Sequence, residues 1–229
     1  MPRKKQSRGN CVFCGREMTR GGLAKHFASC AERKEAVRKA DQKPGKEQTI
    51  YHLQIQDAWS GDFWLHLEMC ASETLAELDS YLRVIWLECC GHLSEFSFDR
   101  RGWGEEEIEM STKAGSIFNP GVELLHIYDF GSSSETRIKV VSARQGKALT
   151  KNPIYLMARN EPPEVKCYKC GEPATWICLD CADEETGEPL LLCKKHLKPH
   201  EDADHFGLPF VNSPRTGICA YDGPAEPPY

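Results

Sequence analysis

Between residues 167 and 205 the chain sets out eight metal-ligand side chains in four pairs: Cys167 and Cys170, Cys178 and Cys181, Cys193 and His196, His200 and His205. So many thiols and imidazoles in a short stretch restrict what it can become: a metal-closed module, a disulfide framework or a redox dithiol. A redox dithiol usually comes as one Cys-x-x-Cys at a helix start near a βαβ pattern, and that pattern is absent here. Disulfides belong to oxidising compartments. The opening MPRKKQSRGN runs straight into CVFCGREM without the apolar segment of a secretory signal. The twelve cysteines are therefore expected in the reducing cytoplasm as metal ligands. Eight ligands suit two tetrahedral zinc ions.

The succession of pairs resembles the B-box class of zinc-binding domains. The resemblance implies a cross-brace, with Cys167, Cys170, Cys193 and His196 on one ion and Cys178, Cys181, His200 and His205 on the other. Cys170 stands where the class usually has His, and the gap before Cys193 is longer. Sequential pairing, or Cys219 in place of a His, therefore stays open. A catalytic zinc keeps one position for water, and filled sets of four point instead to structural zinc. B-box domains mediate protein contacts, which implies a protein partner.

A second cluster opens the chain. Cys11-x2-Cys14-x11-His26-x3-Cys30 has the spacing of a small zinc finger, with Phe13, Leu23 and Phe27 as its apolar plug. A four-residue spacing predicts His26 and Cys30 on one face of a helix, continuing into AERKEAVRKA. A module this small folds only around its metal. It resembles CCHC-type zinc fingers, which bind nucleic acid or protein. The charge around it favours nucleic acid: residues 1 to 50 hold 13 Lys and Arg against 5 Asp and Glu, a net of +8, whereas the whole chain is −5. Arg3, Lys4, Lys5, Arg8, Arg16, Arg20 and Lys25 are the candidate phosphate contacts.

Only the middle of the chain can build a sizeable apolar core. YHLQIQD alternates with Tyr51, Leu53 and Ile55 on one face, FWLHLEM does so with Phe63, Leu65, Leu67 and Met69, and WSGD between them reads as a hairpin turn. Thr74 and Glu77 form a capping box ahead of a helix burying Leu75, Leu78, Leu82, Ile85, Trp86 and Cys89. LSEFSF, ELLHIYDF and TRIKVVSA read as further strands. The expected fold class is α+β, a mostly antiparallel sheet with helices, flanked by two small zinc-stabilised modules. KPG at 43–45 and RNEPPEV at 159–165 punctuate the chain, predicting domains at 1–46, 47–158 and 159–229.

Within the middle domain, the opening strand YHLQIQ, the helix TLAELDSYLRVIW, the element of His92, Leu93 and Phe96, and YDFG at 128–131 together resemble the plasmid pRiA4b ORF-3-like family, also called the TnpR family of insertion-element passenger proteins. The resemblance implies an α+β fold and an association with mobile elements, but no established reaction. The Asp, Trp and His that follow YDFG in many members are replaced here by Ser132, Ser134 and Thr136.

Other candidates are weaker. His66-Leu67-Glu68 matches half of a zinc-deaminase motif, without its Pro-Cys-x-x-Cys partner, so His66 is expected to be a surface or packed histidine. Cys70, Cys89 and Cys90 are expected to be small core or half-buried residues. NSPRTGICAY, 212–221, is either an anion-binding loop on Arg215 and Gly217 or a docking loop, and docking is the expectation. There is no Gly-rich nucleotide loop and no run of apolar residues long enough to span a membrane. The sequence thus predicts a cytoplasmic, non-enzymatic protein with three zinc ions, one N-terminal and two C-terminal. Nucleic acid is the expected partner, with a role as a regulator linked to mobile elements. The rivals are a protein–protein adaptor and an enzyme whose middle-domain pocket gathers His66, His92 and His126.

Overall fold

The computed structural model describes residues 6–98, 107–183, 186–187, 189–201 and 207–229, the side chains of 198–201 excepted. The chain divides into two compact units. The first is Met1–Leu82, Leu93–Glu161 and Tyr229; the second is Arg83–His92 and Pro162–Pro228.

In the first unit, the strands β1 (Arg8–Asn10) and β2 (Glu17–Thr19) form a short hairpin, followed by the helices α1 (Arg20–His26) and α2 (Ala31–Asp41). Thr19 caps α1, its hydroxyl accepting from the Gly22 N–H at 3.3 Å. The strands β3 (Gln48–Asp57) and β4 (Trp64–Cys70) form the expected hairpin, and α3 (Leu75–Leu82) follows. Asp57 closes the hairpin turn: its buried carboxylate accepts from the backbone N–H groups of Ser60, Gly61 and Phe63 at 2.6 to 3.0 Å. After β5 (Ser94–Phe98) come a short helix α4 (Ala114–Ile117) and the strands β6 (Glu123–Tyr128), β7 (Ser134–Gly146) and β8 (Ile154–Arg159). These strands build one six-stranded antiparallel sheet in the order β5-β6-β7-β3-β4-β8. The α+β class with a largely antiparallel sheet is the one expected. Helix α3 is tied to the sheet edge by Asp79, whose carboxylate accepts from His126 Nε2 at 2.8 Å and from the Ser94 hydroxyl at 2.6 Å.

Strand β4 departs from the alternation in its sequence, because all seven of its residues are buried. Leu65, Leu67 and Met69 lie on one face. Trp64, His66 and Glu68 lie on the other, where an open antiparallel sheet would meet water, and the N-terminal finger covers them. Trp64 packs with Leu23, Phe27 and the cysteines of the finger. Phe27 meets His52 and His66 edge-on, each at 5.4 Å between centroids. Glu68 takes a bidentate contact from Arg144 of β7 and a further one from Arg33 of α2. The Val12 N–H donates to the Met157 carbonyl at 3.0 Å, joining the finger to the last strand of the sheet.

The second unit begins where α3 gives way to a π-helical turn, Arg83–Leu87, closed by the Glu88 N–H on the Arg83 carbonyl. The expected continuous helix therefore stops before Cys89. The rest of the unit carries β9 (Trp176–Ala182), β10 (Pro189–Leu192), α5 (Lys194–Glu201) and β11 (Gly207–Pro209), with the three strands antiparallel in the order β10-β9-β11. Its core gathers Ala174, Leu192 and Leu197 around the buried Cys167 and Cys178.

Candidate metal centres

Three clusters of four ligand atoms form among the described residues, each with its atoms within 4.8 Å of one another: Cys11, Cys14, His26 and Cys30; Cys167, Cys170, Cys193 and His196; and Cys89, Cys90, His92 and Cys219. Each offers three thiols and one imidazole. Four such donors bound to one zinc at tetrahedral angles stand roughly 3.4 to 3.8 Å apart. The observed separations are close to these: 3.3 Å for Cys14 Sγ to His26 Nε2, 3.4 Å for Cys193 Sγ to His196 Nδ1, 3.9 Å for Cys170 Sγ to Cys193 Sγ, and 3.0 and 3.6 Å from Cys90 Sγ to His92 Nε2 and Cys219 Sγ. All these thiols are free rather than disulfide-bonded. The donor sets therefore fit zinc.

The first two clusters share one local construction. In each, a Cys-x-x-Cys-Gly turn bends the backbone so that both sulfurs face one point. The glycine N–H donates to the first cysteine's carbonyl at 2.8 Å, Gly15 to Cys11 and Gly171 to Cys167. The first cysteine's own N–H donates onward, Cys11 to the Arg16 carbonyl and Cys167 to the Glu172 carbonyl. The glycines have φ of 72° and 74°, a region costly for a residue with Cβ. The remaining two ligands come from helix boundaries. Cys193 stands just before α5, and the His196 and Leu197 N–H groups donate back to its carbonyl. His26 closes α1 and Cys30 opens α2, with the Cys30 N–H on the His26 carbonyl at 2.8 Å. The single continuous helix expected through His26 and Cys30 is thus two helices with a break at 27–30. One hydrogen bond across the break keeps the two ligands together.

The third cluster was not foreseen. Cys89 is half-buried, in line with expectation, but Cys90 is exposed and Cys219 joins the pair rather than replacing a C-terminal histidine. The available signal was the Cys-Gly dipeptide. It occurs at 14–15, 90–91 and 170–171 and nowhere else, once in each cluster. Gly91 has φ of 79°, and its N–H is taken by the Glu88 carboxylate at 2.7 Å.

Thiol chemistry follows from these surroundings. Burial opposes ionisation of Cys167, but the backbone N–H groups of Cys193, Lys169 and Cys170 together with His196 bring it down to about 6. Burial pushes Cys30 up to about 11. The contacts of Cys90 with Cys219 and Cys89 push it up to about 12. Three thiols crowded together cannot all ionise without a compensating cation, and a bound dication makes thiolates of all three.

The expected second C-terminal set is described only in part. Cys178 and Cys181 lie on β9, while the side chain of His200 and all of His205 fall outside the described residues. On a regular strand, residues three apart face opposite sides. Here the β9–β10 register breaks between Pro189 and Leu190, so that Ala182 and Cys178 oppose consecutive residues. That bulge brings the two thiols into contact, and burial pushes Cys181 up to about 11.

Among the candidate phosphate contacts, Arg3, Lys4 and Lys5 lie outside the described residues. Arg16 and Lys25 are exposed on the finger. Arg8 pairs with Glu17 at 3.2 Å, and Arg20 is half-buried, its guanidinium pKa lowered by burial despite nearby Asp57. A polar cleft of about 420 Å³ beside the finger is lined by Arg20, Gln54, Gln56, Asp62 and Trp64 among others. The histidines of the rival enzyme pocket stand apart. His66 bonds His52 and the Arg20 carbonyl, His126 bonds Asp79 and Thr136, and His92 belongs to the third cluster.

No protein-family model and no curated protein matches this sequence. Among solved structures, the chain is similar to a protein of unknown function from Methanosarcina mazei Go1, at 17% identity and a TM-score of 0.41, over 55% of this chain and 75% of that one. A likeness at that level carries no argument about function.

Proposed function

We propose that this is a non-enzymatic, cytoplasmic, multi-zinc binding protein whose N-terminal finger contacts nucleic acid, as a regulator linked to mobile elements. The observation that carries the zinc reading is the recurrence of complete four-ligand sets, which leave no coordination position for a substrate or water. Cys178, Cys181, His200 and His205 would form one more such set. The nucleic-acid reading rests on the net +8 of residues 1 to 50 and on exposed Arg16, Lys25 and Lys34. The adjacent cleft adds amide side chains and a guanidinium, groups suited to base edges and phosphate. The link to mobile elements rests on the resemblance of the middle domain to the pRiA4b ORF-3-like family.

A second reading, a protein–protein adaptor, is favoured by the pairing of the finger's own cations: Arg8 with Glu17, and Arg38 and Lys39 with Glu35. Such exposed pairs are weak, so they reduce the positive field without cancelling it.

Deleting the finger is a poor test, because it would uncover Trp64, His66 and Glu68. The better experiment compares the zinc-loaded full chain with the double variant Arg16→Glu, Lys25→Glu. Anisotropy titrations on duplex and single-stranded probes would be run across a salt series. Binding whose salt slope falls in the variant supports the finger as a phosphate contact. Equal slopes, or no binding by either protein, favour the adaptor.

A further inference from the structure

We propose that Cys89, Cys90, His92 and Cys219 hold a zinc ion that clasps the segment 211–221 onto residues 89–92, just beyond the π-helical turn. Three of the four ligands come from four consecutive residues, and the fourth lies 127 positions after His92. The first three are positioned locally. The π-helical turn ends at Leu87, Glu88 fixes the Gly91 N–H, and the positive φ of Gly91 turns His92 back toward Cys90, with His92 Nε2 3.0 Å from the Cys90 sulfur. A shared metal ion gives this tight packing of donors a common purpose. A simple core would not place Cys90 and Cys219 at the surface.

The segment bearing Cys219 is built to present it. The Ser213 hydroxyl donates to the Trp86 carbonyl and accepts from the Arg215 N–H at 2.9 Å. The Gly217 N–H bonds the Tyr221 carbonyl at 3.0 Å, closing a loop in which Cys219 and Ala220 both have positive φ, 51° and 55°. Two consecutive non-glycine residues in that region are held there by the surrounding structure, and the result is a sulfur 3.5 Å from His92 Nε2.

Arg215 gives a second, independent observation. Its side chain is fully buried, with Nε 3.4 Å from the Cys89 sulfur. A guanidinium can only donate, and a metal-bound thiolate is a charged acceptor for it. Three thiolates and one imidazole on Zn2+ carry a net negative charge, which the buried cation offsets. Arg215 is thus a positioning residue for the clasp.

The test uses the full chain, purified with zinc under a phosphine reductant and treated with N-ethylmaleimide, with modified cysteines mapped by mass spectrometry. Cys90 and Cys219 are exposed, so as free thiols they would react first. The clasp predicts that both stay unmodified until a chelator removes zinc, then react more than about tenfold faster. It also predicts that Cys90→Ser lowers the zinc content by one ion per chain while Cys70→Ala leaves it unchanged. Rapid modification of Cys90 and Cys219 in protein whose Cys11 and Cys167 remain protected would overturn the proposal. So would a Cys90→Ser variant with undiminished zinc. A Cys90–Cys219 disulfide, seen as a two-dalton loss that reductant reverses, would overturn it as well. Because the labelling experiment needs no variant, it holds even if Cys90→Ser fails to fold.

Discussion

His52 and His66 show how one pair of rings records the docking of the finger. His66 Nε2 faces the Arg20 carbonyl at 3.0 Å and must donate to it, which leaves Nδ1 to accept from His52 Nε2 at 2.8 Å. His66 is therefore neutral, with its proton on Nε2, and His52 carries a proton on Nε2. Burial is the main cause of their lowered pKa values, about 3 for each, aided by Arg33 on His52 and by His52 on His66. The unfolded chain binds these protons near pH 6.5 and the folded chain does not. This pair's stabilisation is thus intact above about pH 6.5 and is lost as pH falls toward 3, by up to roughly 1.4 kcal/mol per pH unit for each ring. We predict that imidazole 15N spectra at pH 5 still show both rings neutral. Two protonated rings at that pH would contradict the geometry. Glu68 gives a second prediction at this scale. With only 3% of its side chain exposed, it faces Arg33 and Arg144. Glu68→Ala strands two guanidinium groups and should cost about 3 to 5 kcal/mol in urea unfolding with zinc present. Glu35→Ala, which releases exposed Arg38 and Lys39, should leave the urea midpoint nearly unchanged.

The knuckle turns and their glycines belong to the scale of the element. A Cβ on Gly15, Gly91 or Gly171 would meet nothing within 4 Å, so the demand for glycine is conformational alone. Replacing any of them by Ala should cost about 1 to 2 kcal/mol and weaken the zinc affinity of its own cluster. Gly21→Ala in α1 also meets nothing within 4 Å, without a positive φ, and should be neutral or stabilise by up to about 1 kcal/mol. Chelator competition followed by thermal unfolding distinguishes the two classes, and equal effects would contradict this account. At this scale the sequence was largely readable. Alternation marked β3 and β4, the WSGD stretch marked their turn, and ligand spacing marked the two Cys-x-x-Cys-Gly knuckles. Periodicity could not show that the polar face of β4 is covered, because alternation reports a strand's two faces and not what lies against them. Nor could spacing reveal the third cluster, whose vicinal pair lacks the usual two-residue gap and whose last ligand lies far along the chain. The break between α1 and α2 was hidden for a similar reason: a spacing of four suits both a helix and a tight two-helix corner.

At the scale of the molecule, the cysteine and histidine inventory is almost fully accounted for. If Cys178, Cys181, His200 and His205 make a set alongside the three observed clusters, metal takes every one of the twelve cysteines except Cys70, and all of the eight histidines except His52, His66 and His126. Those four exceptions are buried in the first unit, where the three histidines are hydrogen-bonded to other groups. Four tetrahedral sites need sixteen donors, the number this division supplies, so the full chain is predicted to carry four zinc ions by native mass spectrometry rather than the three expected from spacing. The discontinuity of the second unit sharpens the prediction. Residues 83–92 reach it from the middle of the chain, between two stretches of the first unit. A fragment spanning 162–228 keeps Cys167, Cys170, Cys193 and His196 whole, together with the proposed set on Cys178, but retains only Cys219 of the third cluster. It should bind two zinc ions, and its Cys219 should be alkylated as readily as a free thiol. A third ion on that fragment would mean that Cys219 finds its metal without residues 89–92. The exposed ligands of the third cluster give the order of release as well. Two of its four ligands are exposed, against one in the Cys167 cluster and none in the finger, so a graded chelator challenge of the full chain should remove its ion first and the finger's last.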